Sequence, residues 1–214
     1  MQTLDIQQEV LNQLVREDLT FIHLCQTNKQ LYKKCSSLEG WAHLYHKYNL
    51  PLPKINFTKP QQWISHFKNT YNLVAFTQNL MRYLQTDGKI RFVVTSQRVE
   101  IVPYSIFDIQ GIDKAKVYSW LENFYYYRLV NFNQAKYTRL LTFSLEFIDE
   151  DQYQLHIKYY RLGSHNNIED EDFYVLTTQS TEKFLYECLF HGLLPATEED
   201  QDRNFDYFNY QPVI

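Results

Sequence analysis

Two thiols and two imidazoles, those of Cys25, Cys35, His43 and His46, fall within 22 residues of one another. Such a set could hold a zinc ion. The spacing argues against it, because structural zinc sites bring cysteines about two to four residues apart and here nine residues intervene. Cys is also an ordinary small core residue. No metal and no cofactor is therefore expected.

Nucleophilic chemistry has no better footing. Neither Cys25 nor Cys188 lies in a recognisable nucleophile elbow, and the chain has no Gly-x-Ser-x-Gly. Only five glycines are present, and Gly88, Gly111 and Gly163 are isolated, so no phosphate-cradling loop is available. The carboxylate runs Asp149 to Asp151 and Glu169 to Asp172 could supply a general acid and base. Charge runs of this kind are more often solvated turns. No catalytic residue is assigned, and the chain is not expected to be an enzyme.

The net charge is −4, and the segment Ala196 to Ile214, with Glu198, Glu199, Asp200, Asp202 and Asp206 against Arg203, carries all of it. A neutral body with an acidic tail lacks the basic footprint that phosphate backbones require, which speaks against nucleic acid as a partner. Apolar segments are too short to cross a bilayer, so no membrane is expected. Three cysteines cannot all pair, and MQTLDIQQEV has no secretory pattern. A reducing, intracellular setting is the expectation.

Elements that could position side chains begin with three helical stretches. Leu4, Ile6, Val10, Leu11 and Leu14 recur at helical spacing, and a second helix starting near Glu17 and Asp18 carries Leu19, Ile22, Leu24, Cys25 and Leu31. Ser36 and Ser37 cap a third from Glu39 to Tyr48, with Trp41, Leu44 and Tyr45 on one side. Pro51 and Pro53 end it, and three prolines between Leu50 and Pro60 mark a linker. Gln61 to Leu84 reads as a helix, closed by Asp87-Gly88.

The period then changes to two. Ile90 to Val94 and Arg98 to Val102 read as strands, and Leu140 to Ile148 with Tyr153 to Tyr160 as an antiparallel hairpin around Asp149 to Gln152. Lys114 to Leu129 fits either a helix or a strand. A polar loop Gly163 to Glu171 leads to a strand at Asp172 to Thr177. A helix from Ser180, its cap, to Phe190 turns Phe184, Leu185, Cys188 and Leu189 inward and stops at Gly192. The expected architecture is α+β in three parts: a helical module 1–54, an α+β body 55–195 and an acidic aromatic tail 196–214. A chain lacking 1–54 is expected to stay folded.

Leu4 to Leu44 reads LDIQQEVLNQLVREDLTFIHLCQTNKQLYKKCSSLEGWAHL. It resembles the F-box in its first-helix acid and apolar residues Glu9, Val10, Leu11 and Leu14, then Asp18-Leu19, then a Cys before a basic, apolar stretch, and a final Trp-x-x-Leu. It looks most like the F-box-like segments of large DNA viruses, through Leu24-Cys25-Gln26-Thr27-Asn28-Lys29 followed by Leu31-Tyr32, Cys35 and Trp41. The Leu-Pro that usually opens the first helix is replaced by Asp5-Ile6. The resemblance implies a non-catalytic adaptor that binds a Skp-type protein and presents a client to a cullin ubiquitin ligase. Its partner-binding residues would be Ile6, Val10, Leu11, Leu14, Leu19, Ile22, Leu24 and Trp41. The alternative is a structural protein of a virus particle, with virion proteins as partners. Either reading rests on apolar faces that three short helices cannot bury alone.

Overall fold

Why each stretch takes its form is clearest at the ends of its helices. The computed structural model describes residues 16–27, 31–86, 88–95, 103–131, 138–162 and 167–196. Among them are six α-helices and one four-stranded antiparallel sheet, so the fold is α+β. The chain divides into two units, Met1–Phe76 and Thr77–Ile214. The first expected helix, Leu4 to Leu14, the strand at 98–102 and the tail beyond Ala196 lie outside the described residues.

The first unit holds α1 (Arg16–Thr27), α2 (Tyr32–Cys35), α3 (Leu38–Lys47) and the larger part of α4 (Pro60–Gln85). α1 is described over Arg16–Thr27; residues 28–30, which separate it from Leu31, lie outside the described residues. The Ser37 hydroxyl accepts from the Gly40 N–H at 3.3 Å, which is the cap expected for α3. Gly40 is required there, because a Cβ on it would come within 2.0 Å of the Lys34 carbonyl oxygen. At the other end Asn49 takes a left-handed φ of 51°, and the N–H groups of Asn49 and Leu50 bond to the carbonyls of His46 and Tyr45. This Schellman closure, rather than Pro51, ends α3. α4 opens with Pro60 in its first turn, and the Gln62 side chain accepts from the Lys59 N–H.

These helices enclose an aromatic core. Trp41 and Trp63 stack with centroids 6.5 Å apart, and Phe67 and Tyr45 close around them. The indole N–H of Trp41 donates to the Cys35 carbonyl at 2.9 Å, and that of Trp63 to the Phe57 carbonyl at 3.0 Å. Trp63, Ile64 and Phe67 on α4 thus belong to the same core as Ile22, Leu44 and Leu50. The boundary expected at 54/55 falls at 76/77 instead. The proline-rich segment 50–60 is therefore no free spacer, since Leu50 is buried and Phe57 packs edge-on to Trp63.

The second unit contains the sheet, in the order β1 (Lys89–Thr95), β2 (Thr138–Asp149), β3 (Gln152–Leu162) and β4 (Asn167–Thr177). The hairpin of β2 and β3 runs as expected, with Phe143 opposite Ile157 and Leu145 opposite Leu155. One face is apolar: Ile90, Phe92 and Val94, then Leu141, Phe143 and Leu145, then Tyr153, Leu155 and Ile157, then Tyr174 and Leu176. It is covered by a 3-10 turn (Tyr104–Phe107), by α5 (Lys114–Asn131), by α6 (Thr178–Phe190) and by Met81 and Leu84 at the end of α4. Phe143 touches both Phe107 and Phe184, with ring centroids 5.3 and 6.0 Å away. Lys114 to Leu129, which sequence left open, is helical.

Two boundaries differ from expectation. β4 begins at Asn167, inside the segment read as a polar loop, because its acids are partnered by groups far away in sequence. α6 begins at Thr178 with Thr177 as its cap; the Thr177 hydroxyl accepts from the Ser180 N–H, so Ser180 is a recipient of the cap. Gly192 does stop the helix, at φ 75°, with the N–H groups of Gly192 and Leu193 closing onto Leu189 and Cys188.

Candidate functional site

Pairing of the four strands sets the side chains of the face opposite the core in cross-strand rows. Strand register places Arg91, Ser144, His156 and Phe173 in line, flanked on one side by Lys89, Glu146, Gln154 and Val175 and on the other by Val93, Thr142, Lys158 and Glu171. Alternation along each strand turns these residues away from the apolar core.

Glu146 and Glu171 lie beside basic groups of the rows, while Arg91 Nε is buried with no hydrogen-bond partner among the described residues. Lys89 Nζ lies 2.9 Å from Glu146, and Glu171 lies 2.8 Å from His156 Nε2 and 3.7 Å from Lys158 Nζ. The ring of Phe173 stacks on His156 with centroids 3.8 Å apart. Phe173 and Val175 are 51% and 55% exposed even so. On an outer strand, that places a fixed apolar strip beside a polar field.

Behind this strip, β4 is anchored to α5. Asp113 accepts from the N–H groups of Ala115 and Lys116 and so caps the start of α5, which places Lys116 and Trp120 one turn apart over β4. Lys116 Nζ lies 3.1 Å from Asp172 and 3.6 Å from Asp170, and donates to the Glu171 carbonyl. Trp120 Nε1 donates to Asp170 at 3.0 Å and the Tyr174 hydroxyl to Asp172 at 3.1 Å.

This network holds charge in place. The hydrogen bond to Asp172, together with the Coulombic pull of Asp172 and Asp170, raises the Lys116 ammonium above its usual range against the opposing desolvation. Burial works to raise Asp172, but Lys116, the Phe173 N–H and Tyr174 outweigh it and hold the carboxyl low. Burial and the neighbouring Asp172 push the Tyr174 phenol well up. With Lys116 kept protonated and Asp172 kept ionised, these groups are set for positioning rather than for moving a proton near neutral pH.

The acids read as solvated turns thus have structural work. Asp170 and Asp172 tie β4 to α5, and Asp151 accepts from the Thr178 N–H at the start of α6. Hydrogen bonds from Thr178 hold the Asp151 carboxyl below its usual range.

β4 is the last strand of the sheet among the described residues, yet its edge is guarded. Lys116 occupies the Glu171 carbonyl, and Gly111, at φ 100°, comes so near that a Cβ on it would lie 2.9 Å from the Val175 carbonyl oxygen. A Lys and a close-packed turn are common means of preventing strand addition. The exposed feature is the side-chain strip, not the backbone edge.

The residues expected to bind a partner separate into distinct places. Ile22 and Trp41 are buried in the first unit's own core, so they are already covered within the chain. Leu24 stands exposed on α1, near exposed His23 and Thr27. Ile6, Val10, Leu11, Leu14 and the side chain of Leu19 lie outside the described residues.

Both cysteines of the zinc candidates lie in the first unit's core, as small core residues do. Cys25 and Cys35 form a disulfide, with Cα atoms 5.5 Å apart, a pairing that the sequence reading did not assign. His43 packs edge-on to Phe21. Cys188 is free and fully buried, and burial pushes its thiol well up, with Glu187 adding to the effect. No helix among the described residues is long and apolar enough to cross a membrane.

The sheet-face cluster was missed by sequence reasoning, though one signal for it existed: Asp170, Asp172, Tyr174 and Leu176 share one parity and Glu171, Phe173 and Val175 the other. No family model, curated protein or solved structure matches this chain.

Proposed function

We propose that the chain is a non-catalytic interaction protein: an F-box-like module that docks a Skp-type adaptor, and a sheet body that holds a client for a cullin ubiquitin ligase. The observation that carries this reading is the exposure of Phe173 and Val175 on β4. Fixed apolar side chains bordered by paired charges resemble the apolar centre and polar rim of protein interfaces. On the first unit, exposed Leu24 is the surface residue that the F-box resemblance assigns to the adaptor.

Calorimetry with a purified Skp-type adaptor tests the first half. Leu24→Asp should weaken binding at least about tenfold, while Phe173→Ser leaves it unchanged. A wild-type chain that shows no binding at about 100 μM adaptor overturns the adaptor assignment. For the second half, a photo-crosslinker at position 173 should capture a client that one at exposed Glu182 does not; equal capture at both positions would discard the client surface.

A second reading, as a structural protein of a large DNA virus particle, is favoured by the Cys25–Cys35 bond, since disulfides persist at virion and cell surfaces. Recovery of the oxidised chain in stoichiometric amount from purified particles is its test.

A further inference from the structure

Two different chemistries hold α1, one toward each end. Near its start the buried Asp18 carboxylate accepts from Lys47 Nζ at 2.6 Å and from the Tyr48 hydroxyl at 2.5 Å, tying it to the C-terminal turn of α3. Near its end Cys25 is bonded to Cys35, the last residue of α2. Between the ties, Ile22 is buried and Phe21 packs against Trp41 with centroids 5.4 Å apart.

Both half-cystines are buried. Cys25 is 5% exposed and Cys35 is fully buried, and the Cys35 carbonyl is held from behind by the Trp41 indole. Thiol–disulfide exchange requires the attacking thiolate to approach a sulfur directly, so access governs its rate. For this bond, access requires α1 to lift off the core. Lifting is opposed by the Asp18 tie some two turns away on the same helix.

We propose that Cys25–Cys35 is a redox-gated clasp on α1, reducible by a small monothiol of the glutathione type only through an opening of α1 that Asp18, Lys47 and Tyr48 restrain. A thiolate of the monothiol attacks one sulfur. A mixed disulfide forms, the Cys25–Cys35 bond breaks, and the other Cys leaves as a thiolate that takes up a proton. A second thiolate attacks the mixed disulfide, releasing the second Cys and the oxidised monothiol. Two electrons pass from two small thiols to the protein disulfide. With the clasp reduced, α1 is retained by the Asp18 tie and by the packing of Ile22 and Phe21, so its opening becomes more frequent and uncovers the face that meets Trp41. The clasp stands independently of the function proposed above.

The test uses the full chain, oxidised with glutathione disulfide, then exposed to reduced glutathione, with samples quenched in acid, unfolded in denaturant, alkylated and weighed by mass spectrometry. Oxidation should join Cys25 to Cys35 and leave Cys188 as a free thiol. Lys47→Ala and Asp18→Asn should each speed reduction about tenfold or more, as expected when a hydrogen bond to a buried charge is lost. Tyr48→Phe should give a smaller acceleration, and Lys158→Ala in the second unit none. Should the Asp18 variants lose the fold, wild type in urea below its unfolding transition serves instead: the reduction rate should climb steeply with urea. Equal rates in wild type and variants, a rate indifferent to urea, or three alkylatable thiols after oxidation would each overturn the proposal.

Discussion

Trp41 on α3 and Trp63 on α4 stack with their planes 9° from parallel, although 21 residues that include three prolines and the segment 50–60 separate them in the chain. The stack joins a helix of the expected module 1–54 to one that sequence assigned to the following body.

Removal of residues 1–54 therefore strips Trp63 and Phe67 of the residues that cover them. The truncated chain should aggregate or bind a hydrophobic dye strongly, by size-exclusion chromatography and dye fluorescence; a monodisperse, dye-silent product would contradict the shared core. In the full chain, Trp63→Ala should cost about 3–5 kcal/mol in urea unfolding of the first unit.

Acid should weaken the first unit before it weakens the sheet. Burial acts to raise the Asp18 carboxyl, but the bonds from Lys47 and Tyr48 and the charges of Lys47 and His43 outweigh it, so its folded value lies below the usual one. A depressed carboxyl contributes stability in full above an unfolded value near about 4, and loses it as pH falls through the folded value. His66, whose Nδ1 lies 2.6 Å from the Tyr45 hydroxyl, is held below its usual range by burial, so its contribution is full above about 6.5 and declines as pH falls through its lower folded value. Unfolding followed by tryptophan fluorescence across this range should show both losses, and Asp18→Asn should remove the lower one at a cost of about 1.5–3 kcal/mol at neutral pH.

Gly111→Ala should destabilise the second unit by about 1–3 kcal/mol, because the new Cβ meets the Val175 carbonyl in a left-handed backbone. Thermal unfolding of the variant checks this; an unchanged midpoint would mean that the turn moves freely off β4.

Lys116→Ala should cost only about 1 kcal/mol, since the ammonium is partly solvated. Its larger effect should be on association, because the Glu171 carbonyl is uncovered on the outer strand. Sedimentation velocity at rising concentration should detect new oligomers in the variant and none in the parent.

Where local chemistry decides, the residues announced the fold. Alternation in Leu141 to Phe147 and Tyr153 to Tyr159 fixed the register of β2 and β3 because one face had to be buried, and Ser37 and Gly192 marked helix ends that the backbone alone requires. Distant partners decided what was missed. Asp170 and Asp172 read as turn residues because acids are poor strand formers, and what keeps them in β4 is Lys116 and Trp120, more than forty positions earlier. Cys25 and Cys35 likewise carry no local sign of their bond, and Ile22 and Trp41 looked like docking residues because nothing nearby showed that α4 would cover them.

Cys188 lies under the sheet with no exposed surface and a thiol that burial keeps protonated. A reagent that alkylates thiolates is blind to it while the second unit stays closed. Its labelling rate is thus a built-in clock for the opening of that unit, readable on unmodified protein and under conditions mild enough that no denaturant is needed.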